Sequence, residues 1–499
     1  MKISQLIGPE VVLVAGSGDT AISGLAADSR AVTPGAIFAA LPGSAIDGRR
    51  FIPDAIAKGA AAILVPTGTE VSAPANVAVL HAHEPRLALA KIAARLYPRQ
   101  PAHIVAVTGT SGKTSVADFT RQILTALGHN AASLGTIGIV KASGAVYGSL
   151  TTPDPVTLHK TLDALAAEGV THLAMEASSH GLDQYRLDGV RLTAAAFTNL
   201  SRDHLDYHAT MDDYLAAKLR LFTSVLPAGG NAVVFVDDGY DLEHNGPAQK
   251  AVAAAKSAGH SVLTVGLECG DLNSHLTMNA YPQQLEITFQ GQRYQTELPL
   301  VGAYQRYNAL VAAGLVIATG AAPSAVFAAF KQLQGVPGRL ELIGHANSAP
   351  VLVDYAHKPD ALESVLAELR NATSETGGRL VCVFGCGGDR DRGKRPIMGE
   401  IAARRADIVI VTDDNPRNET PVTIRAEILA GIPATQINKV REIGDRAEAI
   451  NTAVGLLRTG DVLLVAGKGH ETGQIIGSTT IPFSDSDTVR AALRALSSL

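Results

Sequence analysis

The feature that most limits the possible fold of this chain is a loop at residues 108–115, which reads Thr-Gly-Thr-Ser-Gly-Lys-Thr-Ser. An apolar, strand-like run at 103–107 precedes the loop. A helical pattern with Val116, Phe119 and Ile123 on one face follows it. Glycines let a backbone wrap phosphate oxygens, and the N-terminus of a helix adds N–H donors and a favourable dipole. The order of strand, loop and helix therefore predicts a phosphate-binding loop at the edge of a parallel sheet.

Within this loop, Lys113 is expected to neutralise the β- and γ-phosphates of a nucleotide, and the Thr114 hydroxyl to bind Mg²⁺. The common pattern G-x-x-x-x-G-K-[ST] would place a glycine at position 107, where this chain has Val107. This difference separates the loop from those of common motor proteins and GTPases. The predicted nucleotide-binding residues of the loop are Gly109, Thr110, Ser111, Gly112, Lys113, Thr114 and Ser115.

The length of the chain, 499 residues, predicts several domains rather than one hydrophobic core. Apolar runs alternate with Ala- and Leu-rich helical patterns such as 85–96, which indicates an α/β fold with parallel sheets. Tyr97-Pro98 and the segment 335–338 interrupt this alternation. The clearest strand-like runs are 37–41, 61–65, 103–107, 171–176, 194–199, 231–236, 351–354, 380–384, 407–411 and 462–465.

We therefore predict an α/β protein of three domains, at residues 1–100, 101–334 and 335–499. The first is a small α/β domain. The second is a P-loop-type domain with a parallel sheet, and the third is a Rossmann-like domain.

Composition and charge narrow the function classes. The net charge of −5 lacks the clustered excess of Lys and Arg that general nucleic-acid binding requires, so no nucleic-acid partner is expected. No apolar run approaches the roughly 18 residues of a membrane helix, and no secretory signal is recognisable, so no membrane insertion is expected. The three cysteines, Cys269, Cys382 and Cys386, form no disulfide framework, which favours a reducing cytoplasm. Cys382 and Cys386 lack the second ligand pair of a zinc site.

Polar residues follow two further strands of the predicted central sheet. Glu176 ends one strand, where a carboxylate is a suitable second anchor for a magnesium ion bound to nucleotide phosphates. The run 199–208, which reads Asn-Leu-Ser-Arg-Asp-His-Leu-Asp-Tyr-His, follows the next strand, and packing alone does not explain so many polar side chains. His208 by itself is equally compatible with a capped turn. Because ligands bind beyond the carboxyl ends of strands in open α/β sheets, both clusters are candidate site residues.

A third polar segment, Asp414-Asn415-Pro416-Arg417, follows the predicted strand 407–411. It offers a hydrogen-bond acceptor and a guanidinium on a loop stiffened by proline. An arginine can bind a carboxylate through two parallel hydrogen bonds, which suits an amino-acid substrate. In isolation such a tetrapeptide is more often an exposed turn, so its interpretation depends on the rest of the chain.

Taken together, these motifs resemble those of the Mur ligases and their folylpolyglutamate synthase relatives, which form amide bonds through acyl phosphates. The loop 108–115 resembles the family's T-G-T-[NS]-G-K-[ST] loop, and residues 199–206 resemble its N-x-x-x-D-H-x-D segment. The resemblance implies that His204 binds Mg²⁺ and that Lys218, by its own pattern an ordinary helix lysine, is carbamylated and binds a second magnesium. The implied catalytic residues are Lys113, Glu176, His204 and Lys218, the metal ligands are Thr114, Glu176, His204 and Lys218, and the cofactors are ATP and Mg²⁺.

The resemblance also assigns a UDP-sugar peptide to the first domain. The implied contacts of UDP-N-acetylmuramoyl-dipeptide are Ser29, Ser44, Ala45, Ile46, Thr151, Thr152, Ser178, Gln184 and Arg186. Leu150 stands where some members have Asn before the two threonines. Near the adenine, Asn308 and Arg339 match the family pattern for ATP binding. Gln305 stands where many members have a second Asn, which leaves its role open.

The tetrapeptide at 414–417 resembles the recognition motif of those Mur ligases that add meso-diaminopimelate. The residues implied to bind this amino acid are Arg390, Asp414, Asn415, Pro416, Arg417, Gly467 and Glu471. The implied reaction joins meso-diaminopimelate to the D-Glu γ-carboxylate of UDP-N-acetylmuramoyl-L-alanyl-D-glutamate, a step of peptidoglycan precursor synthesis. The expected partners are these small-molecule substrates, and the expected state is a monomer.

Two other functions are compatible with parts of this pattern. A relative that adds a different amino acid, or a glutamate to folate, would share the phosphate loop. The motif at 414–417 and the match of the first domain argue against both. An ATPase that drives binding or transport would hydrolyse ATP without any amine, and its loop would more often carry the glycine absent at position 107.

Overall fold

The computed structural model describes residues 1–43, 46–146, 150–236, 246–267, 269–278 and 282–497. The chain divides into two compact units. The first unit contains residues 1–279, 284–298 and 307–333, and the second contains residues 280–283, 299–306 and 334–499. Within the described ranges, no helix is long and apolar enough to span a membrane.

The N-terminal part of the first unit is a sheet with buried central strands. Its strands are β1 Val12–Ala15, β2 Gly24–Ala26, β3 Ala36–Ala39, β4 Ala62–Pro66 and β5 Ala78–Ala82, and the helices around it are Ile3–Leu6, Ile52–Ala57 and Pro85–Leu96. The order is β1-β5-β4-β3-β2, with β1 antiparallel to β5 and the other pairs parallel. Ile37, Ile63 and Leu64 are fully buried. Parallel strands covered on both faces need no polar alternation, which explains their continuous apolar runs.

The first unit also carries a larger mixed sheet. Its strands are β6 His103–Thr108, β7 Ala131–Gly135, β8 Gly138–Lys141, β9 Gly144–Val146, β10 His172–Glu176, β11 Leu192–Phe197, β12 Asn231–Phe235, β13 Ser261–Gly266, β14 Leu272–Met278, β15 Gln283–Phe289 and β16 Gln292–Leu298. The order is β16-β15-β14-β13-β12-β11-β6-β10-β7-β8-β9, parallel from β14 to β7. Its helices are Lys113–Ala126, Pro155–Ala167, Ser179–Asp183, Met211–Arg220, Pro247–Ser257 and Pro323–Ala328, and helix Ala303–Ala318 contains the boundary between the units.

The topology of this sheet places three predicted site segments side by side. β6 lies between β10 and β11 and pairs with both in parallel. The phosphate loop follows β6, Glu176 ends β10, and the polar run 199–208 follows β11. Since parallel strands end at the same edge, the three segments meet beyond the carboxyl ends of neighbouring strands.

The second unit is built on a third sheet. Its strands are β17 Glu341–Ala346, β18 Ala349–Asp354, β19 Leu380–Phe384, β20 Ile408–Val411, β21 Val440–Glu442 and β22 Val462–Ala466, followed by the hairpin β23 Gly473–Ile476 and β24 Thr479–Pro482. The order in the six-stranded sheet is β17-β18-β22-β19-β20-β21. Among the described strand pairs of this sheet, β17 and β18 are antiparallel and the others are parallel. The helices are Pro359–Thr376, Lys394–Arg405, Pro421–Leu429, Arg446–Gly455 and Asp485–Ser497.

The predicted strands are confirmed to within two residues at each end, and the helix Pro85–Leu96 has the predicted limits. The antiparallel strands at the edges of the larger sheet were not predicted. The signal for β15 was present, because its residues alternate between buried and half-buried along Gln-Gln-Leu-Glu-Ile-Thr-Phe. Both patterns follow from burial: strands covered on both faces are continuously apolar, and β15 alternates because one of its faces is less buried than the other.

A buried histidine makes the first unit sensitive to acid. His159, in the helix Pro155–Ala167, is fully buried, and its Nε2 lies 3.3 Å from the carbonyl oxygen of Asp188. Burial lowers the pKa of His159 from 6.5 to about 4. Between these pH values the folded state binds fewer protons than the unfolded state. Stability is therefore lost as the pH falls through this window.

We expect the wild-type protein to lose about 2 kcal/mol through this group between about pH 7.5 and pH 5, and His159→Gln to remove that loss. The measurement is the midpoint of the first thermal unfolding transition at each pH. His83→Gln is the control because His83 is exposed, and it should keep the wild-type pH dependence. If the unfolding midpoint changed with pH equally in the wild type and in His159→Gln, His159 would not be the source of the pH dependence.

Candidate functional site

Two glycines allow the phosphate loop to lie close to its neighbours. Gly109 has a φ of 150° and Gly112 a φ of 85°. A Cβ on Gly109 would lie 1.9 Å from Thr198 Oγ1, and one on Gly112 would lie 2.4 Å from Asn308 Oδ1. The backbone N–H of Ser111 donates to Asn199 Oδ1 at 2.9 Å. The loop is therefore held by the segment after β11 and approached by Asn308, one of the predicted ATP ligands.

We expect Gly109→Ala to weaken ATP binding by about tenfold to a hundredfold, because the side chain would force the loop away from Thr198. Binding of a non-hydrolysable ATP analogue by calorimetry checks this. Gly128→Ala is the matched control: Gly128 follows the same helix with a φ of 86°, and an added Cβ there would meet open space. That variant should lose about 1 kcal/mol of stability and no nucleotide affinity. Similar affinities for the two variants would contradict the role of the loop.

Two lysines converge on one carbonyl of this loop. Lys113 Nζ donates to the carbonyl oxygens of Gly109 at 2.7 Å and Thr110 at 2.8 Å. Lys218 Nζ, from the helix Met211–Arg220, donates to the same Gly109 oxygen at 2.7 Å. Lys218 is 1% exposed, so its sequence pattern alone, which suggested a solvated helix lysine, was misleading. The fold brings Lys218 to the phosphate loop, whereas its carbamylation and metal binding, which the family resemblance implied, stay predictions.

Tyr214 lies over Lys218, and three histidines form a cluster with Tyr214. The Tyr214 ring lies 4.2 Å from Lys218 Nζ, and its hydroxyl is 3.2 Å from Thr110 Oγ1. The rings of His204, His180 and His208 lie within 6 Å of one another or of Tyr214. Burial raises the pKa of Tyr214 to about 12 and lowers the pKa of His180 and His208. Tyr214 was not predicted, although its spacing of four residues from Lys218 places both on one helix face.

His204 has an unusual backbone conformation for a non-glycine residue. Its φ is 53°, and its backbone N–H donates to Asp203 Oδ1 at 2.7 Å. Its Nε2 lies 3.4 Å from Asp203 Oδ2, and the side chain is 39% exposed. Such local strain is found at functional sites, where the surrounding structure fixes the residue. The structure therefore presents an accessible imidazole beside the phosphate loop.

Glu176, a predicted metal ligand, is linked by hydrogen bonds to the predicted peptide contacts Thr151 and Thr152. It is 1% exposed, and its carboxylate accepts hydrogen bonds from the Thr136 backbone N–H at 2.7 Å and the Thr136 hydroxyl at 3.2 Å. The Thr136 hydroxyl is 3.0 Å from Thr151 Oγ1, and Thr152 Oγ1 donates to the Glu176 carbonyl at 3.0 Å. The turn 151–152 is thus fixed to the end of β10.

The residues present fit a magnesium ion that needs the nucleotide to complete its ligands. No group of three His, Cys, Asp or Glu side chains within the described ranges is arranged to hold a metal ion. Mg²⁺ is commonly held by one or two carboxylates together with phosphates and waters. Glu176 offers a buried carboxylate, and Thr114, which is 6% exposed, lies in the first turn of the helix after the loop. Oxygen donors at a phosphate cradle suit this ion.

The predicted peptide contacts Thr152, Ser178, Gln184 and Arg186 are brought together. The Ser178 backbone N–H donates to Thr152 Oγ1 at 3.0 Å. Arg186 Nη1 donates to the Thr152 carbonyl at 2.7 Å, and its Nη2 donates to Gln184 Oε1 at 2.8 Å. A cavity of about 110 Å³ adjoins them; its lining is Ala27, Leu41, Arg86, Leu89, Asp154, Pro155, Gln184 and Arg186. Arg86 was not predicted.

Two other predicted contacts of the UDP-sugar peptide, Ser29 and Ile46, do not line this cavity. Ser29 begins a short 3₁₀ helix, and its carbonyl accepts a hydrogen bond from Lys58 Nζ at 2.8 Å. Ile46 is 58% exposed. Neither residue belongs to the lining of the 110 Å³ cavity. Ser44 and Ala45 lie outside the described residues.

In the second unit, Gln305 fixes the backbone of a predicted ATP ligand. Gln305 is 1% exposed, and its Nε2 donates to the Arg339 carbonyl at 2.8 Å. The Arg339 guanidinium lies 4.7 Å from the centre of the Tyr355 ring. Gln305 therefore positions Arg339, a role that its sequence position alone left open.

Asp414 and Asn415 are buried and connected to Glu471 by a lysine that sequence reasoning missed. Lys468 is fully buried, and its Nζ donates to Asn415 Oδ1 at 2.9 Å and Glu471 Oε2 at 3.2 Å. It also lies 3.6 Å from Asp414 Oδ1. Asn415 Nδ2 donates to Glu471 Oε2 at 2.9 Å. A Cβ on Gly467, whose φ is 118°, would lie 2.9 Å from Asp414 Oδ2.

Arg417 and Arg390 lie close together beside this network. Arg417 has a φ of 49°, and its Nη1 donates to the Gly388 carbonyl at 2.9 Å. A Cβ on Gly387 would lie 2.8 Å from Arg417 Nη1 and 3.8 Å from Arg390 Cγ. The second unit therefore presents two guanidiniums, a carboxylate and an amide together. Such a set matches an amino acid with carboxylate groups and an ammonium.

Comparison with known proteins finds matches to Mur ligase models in three consecutive segments of the chain. The Mur ligase family, catalytic domain model matches residues 21–97, the Mur ligase middle domain model residues 107–316, and the Mur ligase, glutamate ligase domain model residues 338–469. A solved structure of a UDP-N-acetylmuramoyl-L-alanyl-D-glutamate–2,6-diaminopimelate ligase has a TM-score of 0.68 and 34% identity, over 95% of each chain. MurF ligase from Thermotoga maritima in complex with ADP has the same fold, with a TM-score of 0.62, 18% identity and coverage of 96% of this chain and 98% of that one.

Relatives match from end to end. The chain is 54% identical over 504 residues to the UDP-N-acetylmuramoyl-L-alanyl-D-glutamate–2,6-diaminopimelate ligase of Rhizobium meliloti strain 1021, over 99% of this chain and 100% of that protein. It is also 54% identical over 498 residues to the protein of that name from Bradyrhizobium diazoefficiens, over 99% of each. With relatives of this identity along its whole length, the chain belongs to the Mur ligase family.

Proposed function

We propose that this chain is an ATP-dependent ligase that joins meso-diaminopimelate to the D-Glu γ-carboxylate of UDP-N-acetylmuramoyl-L-alanyl-D-glutamate. The observation that carries the proposal is a cluster in the second unit. There Lys468 and Glu471 are hydrogen-bonded to Asn415 of the 414–417 turn, and Arg390 lies beside Arg417 of the same turn. An amino acid with two carboxylates and two amines matches these groups in charge. The relatives that are 54% identical carry names that state this activity.

The first step activates the carboxylate. An oxygen of the D-Glu γ-carboxylate attacks the γ-phosphorus of ATP, and the bond from that phosphorus to the oxygen of ADP breaks. Lys113 leaves the loop carbonyls for the phosphates and offsets the negative charge that opposes the attack. Magnesium held by Thr114, Glu176, His204 and a carbamate on Lys218 would add positive charge at the same phosphates.

The second step forms the amide. The amine of meso-diaminopimelate attacks the carbonyl carbon of the acyl phosphate, phosphate leaves with the bonding electron pair, and the amine nitrogen loses its proton. Arg417 and Arg390 hold the carboxylates of the amino acid, and Glu471 holds the distal ammonium. Because both carboxylates are fixed, only one of the two amines is presented to the acyl carbon.

Carbamylation of Lys218 is part of this proposal. A carbamate would convert a buried cation at the phosphate loop into an anionic oxygen ligand. Its support is the burial of Lys218 and the hydrogen bond that its Nζ makes to Gly109. Peptide mass spectrometry under non-acidic conditions, with Lys218→Arg as the reference, tests for the added carboxyl group.

We further propose three functional domains in a monomer. Residues 1–100 bind the UDP part of the substrate, 101–334 bind ATP and the peptide, and 335–499 bind the amino acid. The ranges matched by the three Mur ligase models support this division. ATP and a nucleotide-linked precursor are substrates of the cytoplasm, where the reaction would occur. Light scattering during size-exclusion chromatography tests the monomer.

The test of the function is phosphate release from ATP by the purified protein with UDP-N-acetylmuramoyl-L-alanyl-D-glutamate. Meso-diaminopimelate, L-lysine and no amine are compared side by side. Release that requires the nucleotide peptide and prefers meso-diaminopimelate is the expected result. A preference for lysine would support a ligase but reject meso-diaminopimelate as its amino acid. Release indifferent to both substrates would identify an ATPase instead.

A further inference from the structure

The loop that carries Arg390 is built against the 414–417 turn. The backbone N–H of Gly388 donates to the Asn415 carbonyl at 2.9 Å, and a Cβ on Gly388 would lie 1.9 Å from the Pro416 carbonyl oxygen. Arg417 Nη1 donates back to the Gly388 carbonyl at 2.9 Å. The two segments therefore form one surface, and their separation fixes the distance between the two arginines.

Glu419, two residues beyond the turn, connects this surface to the residue before Arg390. Its Oε1 accepts the backbone N–H of Asp389 at 2.6 Å. Asp389 has a φ of 53°, a conformation that costs energy for a non-glycine residue and persists only where its surroundings fix it. Asn418 Nδ2 adds a hydrogen bond to Asp389 Oδ2 at 2.8 Å. The backbone that directs the Arg390 side chain is thus held by Glu419 and Asn418.

Glu419 is itself fixed by a buried arginine. Arg395, whose side chain is fully buried, donates from Nη2 to Glu419 Oε1 at 2.8 Å and from Nη1 to Glu419 Oε2 at 2.9 Å. It also donates to the Gly387 carbonyl at 3.1 Å and to Glu427 Oε2 at 2.6 Å. These hydrogen bonds from Arg395 hold the pKa of Glu419 at about 2, so Glu419 stays ionised at neutral pH. A two-bonded Arg–carboxylate pair is rigid in direction as well as strong.

We propose that Glu419, held by Arg395, is a positioning residue that sets the separation of Arg390 and Arg417 and thereby selects an amino acid with two carboxylates. This inference rests on the proposed function, since it takes meso-diaminopimelate as the amino acid. Glu419 binds Arg395 and the Asp389 amide, so it acts through Arg390 rather than on the substrate. Mutation of a group that holds a binding residue in place typically costs about tenfold to a hundredfold in affinity or activity.

The test compares Glu419→Gln with Glu427→Gln. Glutamine keeps the size of the side chain and removes its charge in both variants. Glu427 is a matched control, because it shares Arg395 but binds the Arg392 side chain instead of the Asp389 amide. Both variants and the wild type are assayed for kcat, for the KM of each substrate, and for the ratio of kcat/KM with meso-diaminopimelate to that with L-lysine. Thermal unfolding midpoints are measured for all three.

For Glu419→Gln we expect the KM of meso-diaminopimelate to rise about tenfold to a hundredfold, with kcat and the KM of ATP and of the nucleotide peptide within about threefold. The preference over L-lysine should fall by a similar factor, because lysine has only one carboxylate to place. Glu427→Gln should leave both quantities within about twofold of the wild type. Asn418→Ala removes the side-chain hydrogen bond to Asp389 Oδ2 and keeps the one from its backbone N–H. It should shift the KM in the same direction by a smaller factor.

Equal changes in both glutamine variants, or a lower unfolding midpoint with unchanged KM and preference, would overturn the proposal. If Glu419→Gln does not fold, Glu419→Asp, which keeps the charge and shortens the side chain away from the Asp389 N–H, is assayed in its place. An unchanged KM and preference in Glu419→Asp would then overturn the proposal. A wild-type protein that does not use meso-diaminopimelate rejects the proposed function and this inference together. A wild-type protein that does use it, with variants that behave alike, rejects the inference alone.

Discussion

Lys113→Ala is expected to reduce the rate of ligation by about a thousandfold, because it removes the cation that we propose offsets the developing phosphate charge. Lys113 Nζ already lies at the loop, bonded to the carbonyls of Gly109 and Thr110. Loss of one preorganised donor in a water-poor site costs far more than loss of a surface charge, since no solvent replaces it. The measurement is single-turnover formation of the ligated product at saturating ATP.

The control for this prediction is Lys160→Ala, which removes an exposed lysine from the helix Pro155–Ala167. It should change the rate by less than about twofold, since surface charges contribute little. Circular dichroism and thermal unfolding establish that both variants are folded. A rate for Lys113→Ala within tenfold of the wild type would show that the loop does not bind the reacting phosphates.

Arg417→Ala is expected to raise the KM for meso-diaminopimelate by about a hundredfold to a thousandfold, which corresponds to about 3–4 kcal/mol. We propose that the guanidinium binds a substrate carboxylate through two parallel hydrogen bonds, so its removal should leave that carboxylate without its partner. Arg417→Lys should recover only part of the affinity, because an ammonium is a point charge without the planar fork. Titration calorimetry with meso-diaminopimelate, in the presence of the nucleotide peptide and a non-hydrolysable ATP analogue, separates binding from catalysis.

Arg441→Ala is the matched control for this prediction. Arg441 is an exposed arginine of β21 in the same unit, and its loss should leave the affinity for meso-diaminopimelate unchanged. An Arg417→Ala variant with wild-type affinity for meso-diaminopimelate would reject the 414–417 turn as the recognition element. Equal losses with meso-diaminopimelate and with ATP would instead indicate a general disturbance of the second unit.

The parts of the structure that follow from local sequence were predictable. The phosphate loop and the parallel strands each depend on residues that are adjacent in the chain. The resemblance to the Mur ligases is confirmed by relatives that are 54% identical over the whole chain. This resemblance implied that Lys218 and the 414–417 turn belong to the site. The individual contacts of the substrates with these residues stay predictions.

The residues that were missed owe their importance to contacts between distant parts of the chain. Lys468 reads as one basic residue in a glycine-rich loop, and only folding buries it against Asn415, a separation of 53 residues. Arg395 and Glu419 read as ordinary charges of a helix and a loop, 24 residues apart. No periodicity or motif identifies such pairs, because tertiary folding, and not local sequence, determines which charged side chains come into contact.

The hydrogen bonds of Lys113 to its own loop have a consequence for how the enzyme distinguishes nucleotides. If Lys113 binds the phosphates as we propose, the carbonyls of Gly109 and Thr110 compete with phosphate for the same ammonium. A nucleotide without β- and γ-phosphates offers no replacement for these internal bonds, so part of its binding energy is never recovered. After the reaction, the departure of phosphate frees Lys113 to return to the carbonyls, which weakens the hold on ADP. On this proposal, the loop carbonyls hold Lys113 whenever no phosphate is bound, and we expect this to favour binding of the triphosphate and release of the diphosphate.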